Sequence, residues 1–150
     1  MNFSVIRARP EDAHTIARFN QLMAAETEDK QLDWDTIQPG VEAIIADPGL
    51  GFYLVALAEG EVAGCLAITY EWSDWRNGLF WWIQSVYVAK DRRGQGIFTA
   101  MYEAVKQEAA GQDNVCGIRL YVEVDNHTAQ RTYFRLGMTE THYRLLEEEF

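Results

Sequence analysis

The sequence predicts a mixed α/β sheet with helices on both faces, in the order βααβββαβαβ, as one domain over residues 1–150. Three stretches carry that expectation. Residues 51–58 and 61–70 are apolar and flank Glu59-Gly60, as a hairpin would. Residues 80–88 form an apolar run, followed by a glycine turn and by apolar positions at helical spacing through Lys106. Residues 115–124 alternate and are rich in β-branched types, and a capped helical pattern follows them.

Each element has its own signal. Residues 3–8 alternate and read as the first strand. A helix starts at Pro10-Glu11-Asp12, with proline at an early position and acids in the first turn, and Ile16, Phe19, Leu22 and Met23 give its apolar face. A second helix is expected over residues 36–46, stopped by Asp47-Pro48-Gly49. The hairpin follows, then a polar loop over residues 71–78 and the long aromatic strand. After the next helix and strand, Asn126 or Asp125 can cap a helix that Gly137 closes through a left-handed residue. Residues 139–147 are expected to form a final strand.

The sharpest chemical signal is Arg92-Arg93-Gly94-Gln95-Gly96-Ile97-Phe98. A strand, a tight glycine turn and a helix start make an anion site, because unpaired N–H groups and the helix dipole point at whatever sits there. Glycines let backbone approach a phosphate closely. No Lys-Ser or Lys-Thr pair follows, which excludes a Walker A loop. Two glycines well past the chain midpoint do not suit a dinucleotide fingerprint, which needs three after the first strand.

The turn resembles the pyrophosphate loop of the GNAT superfamily of N-acetyltransferases, whose usual pattern is Gln/Arg-x-x-Gly-x-Gly/Ala. Asp91 stands at the first position here, a departure from the family. A second segment supports the same resemblance. Asn126, Ala129, Tyr133 and Gly137 fall on one helix face and look like the family's Asn-x-x-Ala-x-x-x-Tyr-x-x-x-Gly. The likeness runs over roughly residues 53–140. It implies a GNAT-like acyl-CoA N-acyltransferase fold with two splayed central strands and a bulge in the first of them. It also implies acetyl transfer from acetyl-CoA to a primary amine of a small molecule or a protein, directly in a ternary complex.

The resemblance assigns roles by position. Val86 and Val88 would offer backbone partners to the pantetheine arm, and the Val86 N–H could polarise the thioester carbonyl. Arg93, Gly94, Gln95, Gly96, Ile97 and Phe98 would hold the pyrophosphate, and Asn126 would bond the coenzyme arm or fix its helix. Tyr133 is the candidate acid for the departing thiolate. The family commonly offers a carboxylate near Gln84 and Ser85, and neither is acidic here. Gln84 could orient the amine or a water. The base stays open between such a water and Glu26, Glu71 or Asp74. A non-catalytic acyl-CoA-binding regulatory domain is the alternative reading.

Composition narrows the partners. The net charge of −10 opposes nucleic-acid binding and suits a cationic substrate. No apolar run approaches the roughly 20 residues that span a bilayer, and the N-terminus has no secretory pattern, so no membrane association and a cytoplasmic location are expected. Cys65 and Cys116 read as reduced thiols. His14, His127 and His142 have no metal-ligand spacing, so no metal is expected. Five tryptophans suit the core, an amine pocket or a homodimer interface.

Overall fold

The computed structural model describes residues 3–150. Its elements are β1 (Phe3–Arg7), α1 (Ala13–Glu28), α2 (Trp34–Ala46), β2 (Gly51–Ala58), β3 (Glu61–Ser73), β4 (Gly78–Val88), α3 (Ile97–Ala110), β5 (Val115–Arg119) and α4 (His127–Arg135). Short 3-10 turns precede α1 and α3. The five strands form one sheet in the order β1-β2-β3-β4-β5, antiparallel except for the parallel β4–β5 pair. The chain divides into two compact units, one up to Leu120 and one of Tyr121–Phe150.

In the first unit the sheet is covered on both faces. Tyr53, Val55, Cys65, Ala67 and Tyr87 pack against Ile16, Ala17 and Phe19 of α1 and Val41 of α2. On the opposite face, α3 buries Ile97, Met101 and Val105, one helical stripe. Gly64 lets that helix sit close, since a Cβ there would stand 3.3 Å from Ile97 and 3.4 Å from Met101. Leu54, Leu66, Ile68, Ile97 and Met101 are fully buried. Each such side chain contributes about 1.5–3 kcal/mol relative to its exposed state.

The entry into α1 is held by one clamp. Asp12, 4% exposed, accepts from Arg9 through its backbone N at 2.8 Å, Nε at 3.1 Å and Nη2 at 3.0 Å. Burial pushes the Asp12 carboxyl up, and the bonds from Arg9 outweigh it and hold it below the usual range.

Three expectations need correction. Residues 71–78 are not a loop throughout. The β3–β4 ladder continues through Glu71↔Phe80, Trp72↔Leu79 and Ser73↔Gly78, leaving only residues 74–77 to turn. Polar residues belong on the solvated part of an antiparallel hairpin, so polarity alone did not mark a loop. β5 ends at Arg119 rather than Val124, because its ladder with β4 stops at Trp82↔Arg119. The final strand over residues 139–147 is absent, and the order is βααβββαβα. An alternating pattern makes a strand only where a ladder partner takes its N–H and C=O groups, and this segment has none among the described residues.

In the second unit, Asn126 caps α4 by accepting from Ala129 N at 3.2 Å. The helix closes at Gly137, φ +107°, with Gly137 N donating to Phe134 O and Met138 N donating to Tyr133 O, both at 3.1 Å. That pair of bonds is a Schellman motif, and the glycine supplies its left-handed residue.

Candidate active site

The site is built on an irregularity in β4. Gln84 pairs with Ala67 and Tyr87 pairs with Cys65, so three steps on β4 match two on β3. One extra residue is therefore inserted, and Ser85 absorbs it with φ +54°. Val86 follows it in the bulge. Beyond Trp82, β5 no longer pairs with β4, so residues 83–88 of β4 have no ladder partner on that side among the described residues. This is the expected splay. Ala89 N donates to Ala63 O at 2.8 Å, and alternation then turns the N–H and C=O of Val88 away from β3. The Val88 carbonyl takes Arg93 Nε at 2.9 Å.

At the end of β4 the chain makes its glycine turn. Gly94 has φ +79° and Gly96, the residue that caps α3, has φ +82°. No side chain caps α3, so its first N–H groups are open to an external acceptor. A Cβ added at Gly94 or Gly96 would meet nothing within 4 Å beyond its own chain neighbours, so each has open space beside it. Gln95 is half-buried between them, Ile97 is buried under the helix, and Phe98 is half-buried. The cradle fits a pyrophosphate, with backbone donors, a helix dipole of 14 residues behind them and basic side chains beside them.

The basic side chains are already engaged. Arg93 Nη2 meets Glu26 Oε2 at 2.7 Å, and Tyr87 Oη donates to Glu26 Oε1 at 3.0 Å. The Arg93 guanidinium holds the Glu26 carboxyl below the usual carboxylate range. Burial, and then the bond to Glu26, push the Tyr87 phenol up. Arg92 lies 3.6 Å from Glu59. Sequence reasoning named Glu26 only as a candidate base, and its pairing with a residue 67 positions away left no local signal.

Gln84 lies on the α1 and α2 side of the sheet, where its Nε2 donates to Thr69 Oγ1 at 2.6 Å. Thr69, a polar neighbour 15 positions away, carries no local signal of this contact in the sequence. On the same face Glu71 accepts from Trp82 Nε1 at 2.9 Å and Arg119 Nη1 at 3.0 Å, and Arg119 lies over the Phe80 ring at 3.6 Å. Glu71 is thus a neutralised strand residue rather than a loop acid awaiting a cation. Cys65, behind the bulge, is fully buried, and burial pushes its thiol up to about 12. Among the described residues no group of His, Cys, Asp and Glu could hold a metal ion, and no helix is long and apolar enough to cross a membrane.

Asn126 and Tyr133 lie in the second unit. Asn126 is occupied as the cap of α4, and Tyr133 is half-buried on that helix, with burial pushing its phenol up.

The chain belongs to the acetyltransferase (GNAT) family, whose model matches residues 14–138. The family uses acetyl-CoA. A structure from Clostridium difficile 630, described as a possible acetyltransferase, is 43% identical with a TM-score of 0.93, over 100% of this chain and 99% of its own. An aminoglycoside acetyltransferase from an uncultured soil metagenomic sample is 18% identical with a TM-score of 0.75, over 100% of both chains. A predicted acetyltransferase with acetyl-CoA from Clostridium acetobutylicum is 18% identical with a TM-score of 0.79, over 98% of this chain and 96% of its own. At that identity the last two share the fold. Among curated proteins none matches the chain.

Proposed function

We propose that this chain moves an acetyl group from acetyl-CoA to a primary amine by direct transfer in a ternary complex. One observation carries the reading: an uncapped α3 N-terminus behind two left-handed glycines, at the end of a strand that has no β5 ladder partner beyond Trp82. Backbone N–H groups of residues 96–98 take the pyrophosphate, and Arg93 shares it from the same turn. Val88 and Val86 offer the open β4 edge to the amides of the coenzyme arm, and the Val86 N–H donates to the thioester oxygen as negative charge develops there.

The amine is the costly reactant. At an amine pKa of about 10.4, exposing its lone pair at pH 7 costs roughly 4–5 kcal/mol. Glu71 and Glu26 are both engaged in ion pairs, which favours a water ordered by Gln84 and Thr69 as the first proton acceptor. The amine nitrogen attacks the thioester carbonyl carbon, the C–S bond breaks, and the thiolate takes a proton. Tyr133 is the proposed donor of that proton, from its place in the family's spacing. Its raised pKa keeps the phenol protonated over the working range.

The acidic chain favours a cationic acceptor, either a small polyamine-like or aminoglycoside-like compound or a protein amine. Release of free thiol, followed across a panel of primary amines, tests the assignment. Saturable acetyl-CoA binding without turnover on any amine would instead favour a non-catalytic acyl-CoA-binding domain, the reading that the missing carboxylate at Gln84 supports. No binding of acetyl-CoA would end both.

A further inference from the structure

We propose that Tyr53 and Cys65 are positioning residues for the transfer step, holding the strained Ser85 of the bulge and so the aim of the Val86 N–H. The inference rests on the acetyl-transfer reading, in which that N–H meets the thioester oxygen. The first ground is the strain itself. Among the described residues, four other than glycine have a left-handed backbone: Asp29, Glu59, Asn77 and Ser85. Asp29 ends α1, and Glu59 and Asn77 lie in hairpin turns. Ser85 stands inside a strand, at φ +54°. A side chain is disfavoured there, and such a conformation persists only where its surroundings hold it.

The second ground is what surrounds Ser85. Tyr53 is buried on β2, on the face of the sheet that α1 covers. Its phenolic oxygen accepts from Asn20 Nδ2 at 3.4 Å and also bonds the Ser85 side chain. Because Asn20 supplies a proton to that oxygen, the Tyr53 O–H is left to donate to Ser85 Oγ. Cys65 Sγ donates to the Ser85 carbonyl oxygen at 3.8 Å. Two neighbours, one on β2 and one on β3, thus grip Ser85 by its side chain and by its carbonyl. Asn20 in turn is fixed to α1, where the same Nδ2 donates to Ile16 O at 3.0 Å.

The link to the chemistry is a peptide plane. The Ser85 carbonyl and the Val86 N–H belong to one planar trans peptide, so they point in opposite directions. A thiol that holds the carbonyl oxygen therefore aims the N–H away from Cys65 and the α1 core. Burial raises both the Tyr53 phenol and the Cys65 thiol, so both donors keep their protons over the working range. All of these residues lie in the first unit.

Tyr53→Phe keeps the ring, removes the oxygen and leaves Asn20 its bond to Ile16. It should lower kcat roughly ten- to hundredfold while the Kd for acetyl-CoA stays within about twofold. Ser85→Gly removes the strain, since glycine takes a left-handed backbone freely. In that background Tyr53→Phe should change kcat by less than about threefold, a non-additivity that loss of packing alone would not give. Cys65→Ala should repeat the pattern, which keeps the test valid if Tyr53→Phe does not fold. Isotope-edited infrared spectroscopy reads the same contact without an acceptor amine. The thioester carbonyl band of bound acetyl-CoA should lie below its free frequency in the parent chain and return toward it in Tyr53→Phe. An unchanged kcat, an equal fall in both backgrounds, a rise in Kd that matches the fall in kcat, or an unmoved carbonyl band overturns the proposal. Failure of the parent chain to bind acetyl-CoA ends the acetyl-transfer reading, and this one with it.

Discussion

Arg93 is asked to serve two anions. It holds Glu26 at 2.7 Å, and the proposed pyrophosphate lies at the same turn. A carboxylate that must be displaced is a competitor, so Glu26→Gln should tighten acetyl-CoA binding several-fold by calorimetry, whereas Arg93→Ala should weaken it. Unchanged or weaker binding by Glu26→Gln would show that the two anions do not share the arginine. The pair also has a pH signature. The Glu26 carboxyl is depressed, so the stability it lends is present above the ordinary carboxylate range and is lost as pH falls through the depressed value. Tyr133 makes a different demand. Tyr133→Phe should cost about 10²–10⁴ in kcat with little change in coenzyme affinity, measured where chemistry limits the rate. A near-normal kcat would leave Tyr133 a packing residue.

The glycine turn and the clamp before α1 can be tested as elements. Replacing Gly94 or Gly96 by valine forces a side chain into a left-handed conformation and into the open space beside the turn's backbone. Acetyl-CoA affinity should fall at least tenfold, about 1.4 kcal/mol, while the melting transition stays cooperative. Asp12→Asn removes the charged acceptor of three bonds and should cost about 1.5–3 kcal/mol in denaturant unfolding. Much of this organisation was legible in the sequence, because it is local. The glycine turn, the Asn126 cap and the Gly137 closure each declare themselves within a few residues. The bulge was expected from family likeness and is carried by Ser85, a residue with no turn preference strong enough to mark it. What stayed hidden depends on pairing across the chain. Glu71 looked like a loop acid until Arg119, 48 positions on, and Trp82 were seen to hold it. The pattern after residue 139 gave a strand its alternation but could not say whether an edge was available.

At the scale of the molecule, charge is the remaining lever. If the acceptor is cationic, kcat/KM should fall as ionic strength rises, since long-range attraction is screened. Best turnover of neutral or acidic amino compounds, without salt dependence, would sink that idea and leave acetyl transfer untouched. Because Glu71 is neutralised, Glu71→Gln should act mainly on stability rather than on KM. The insertion at Ser85 carries a further consequence. Removing one residue there would leave Gln84 opposite Ala67 and Tyr87 opposite Cys65, now in unbroken alternation. A strand shortened by one codon would be the more regular one, free to stay beside β5 further along its length. Such a deletion should therefore melt at a higher temperature than the parent and bind little or no coenzyme. In this fold a catalyst and an inert, sturdier scaffold would stand one deleted residue apart.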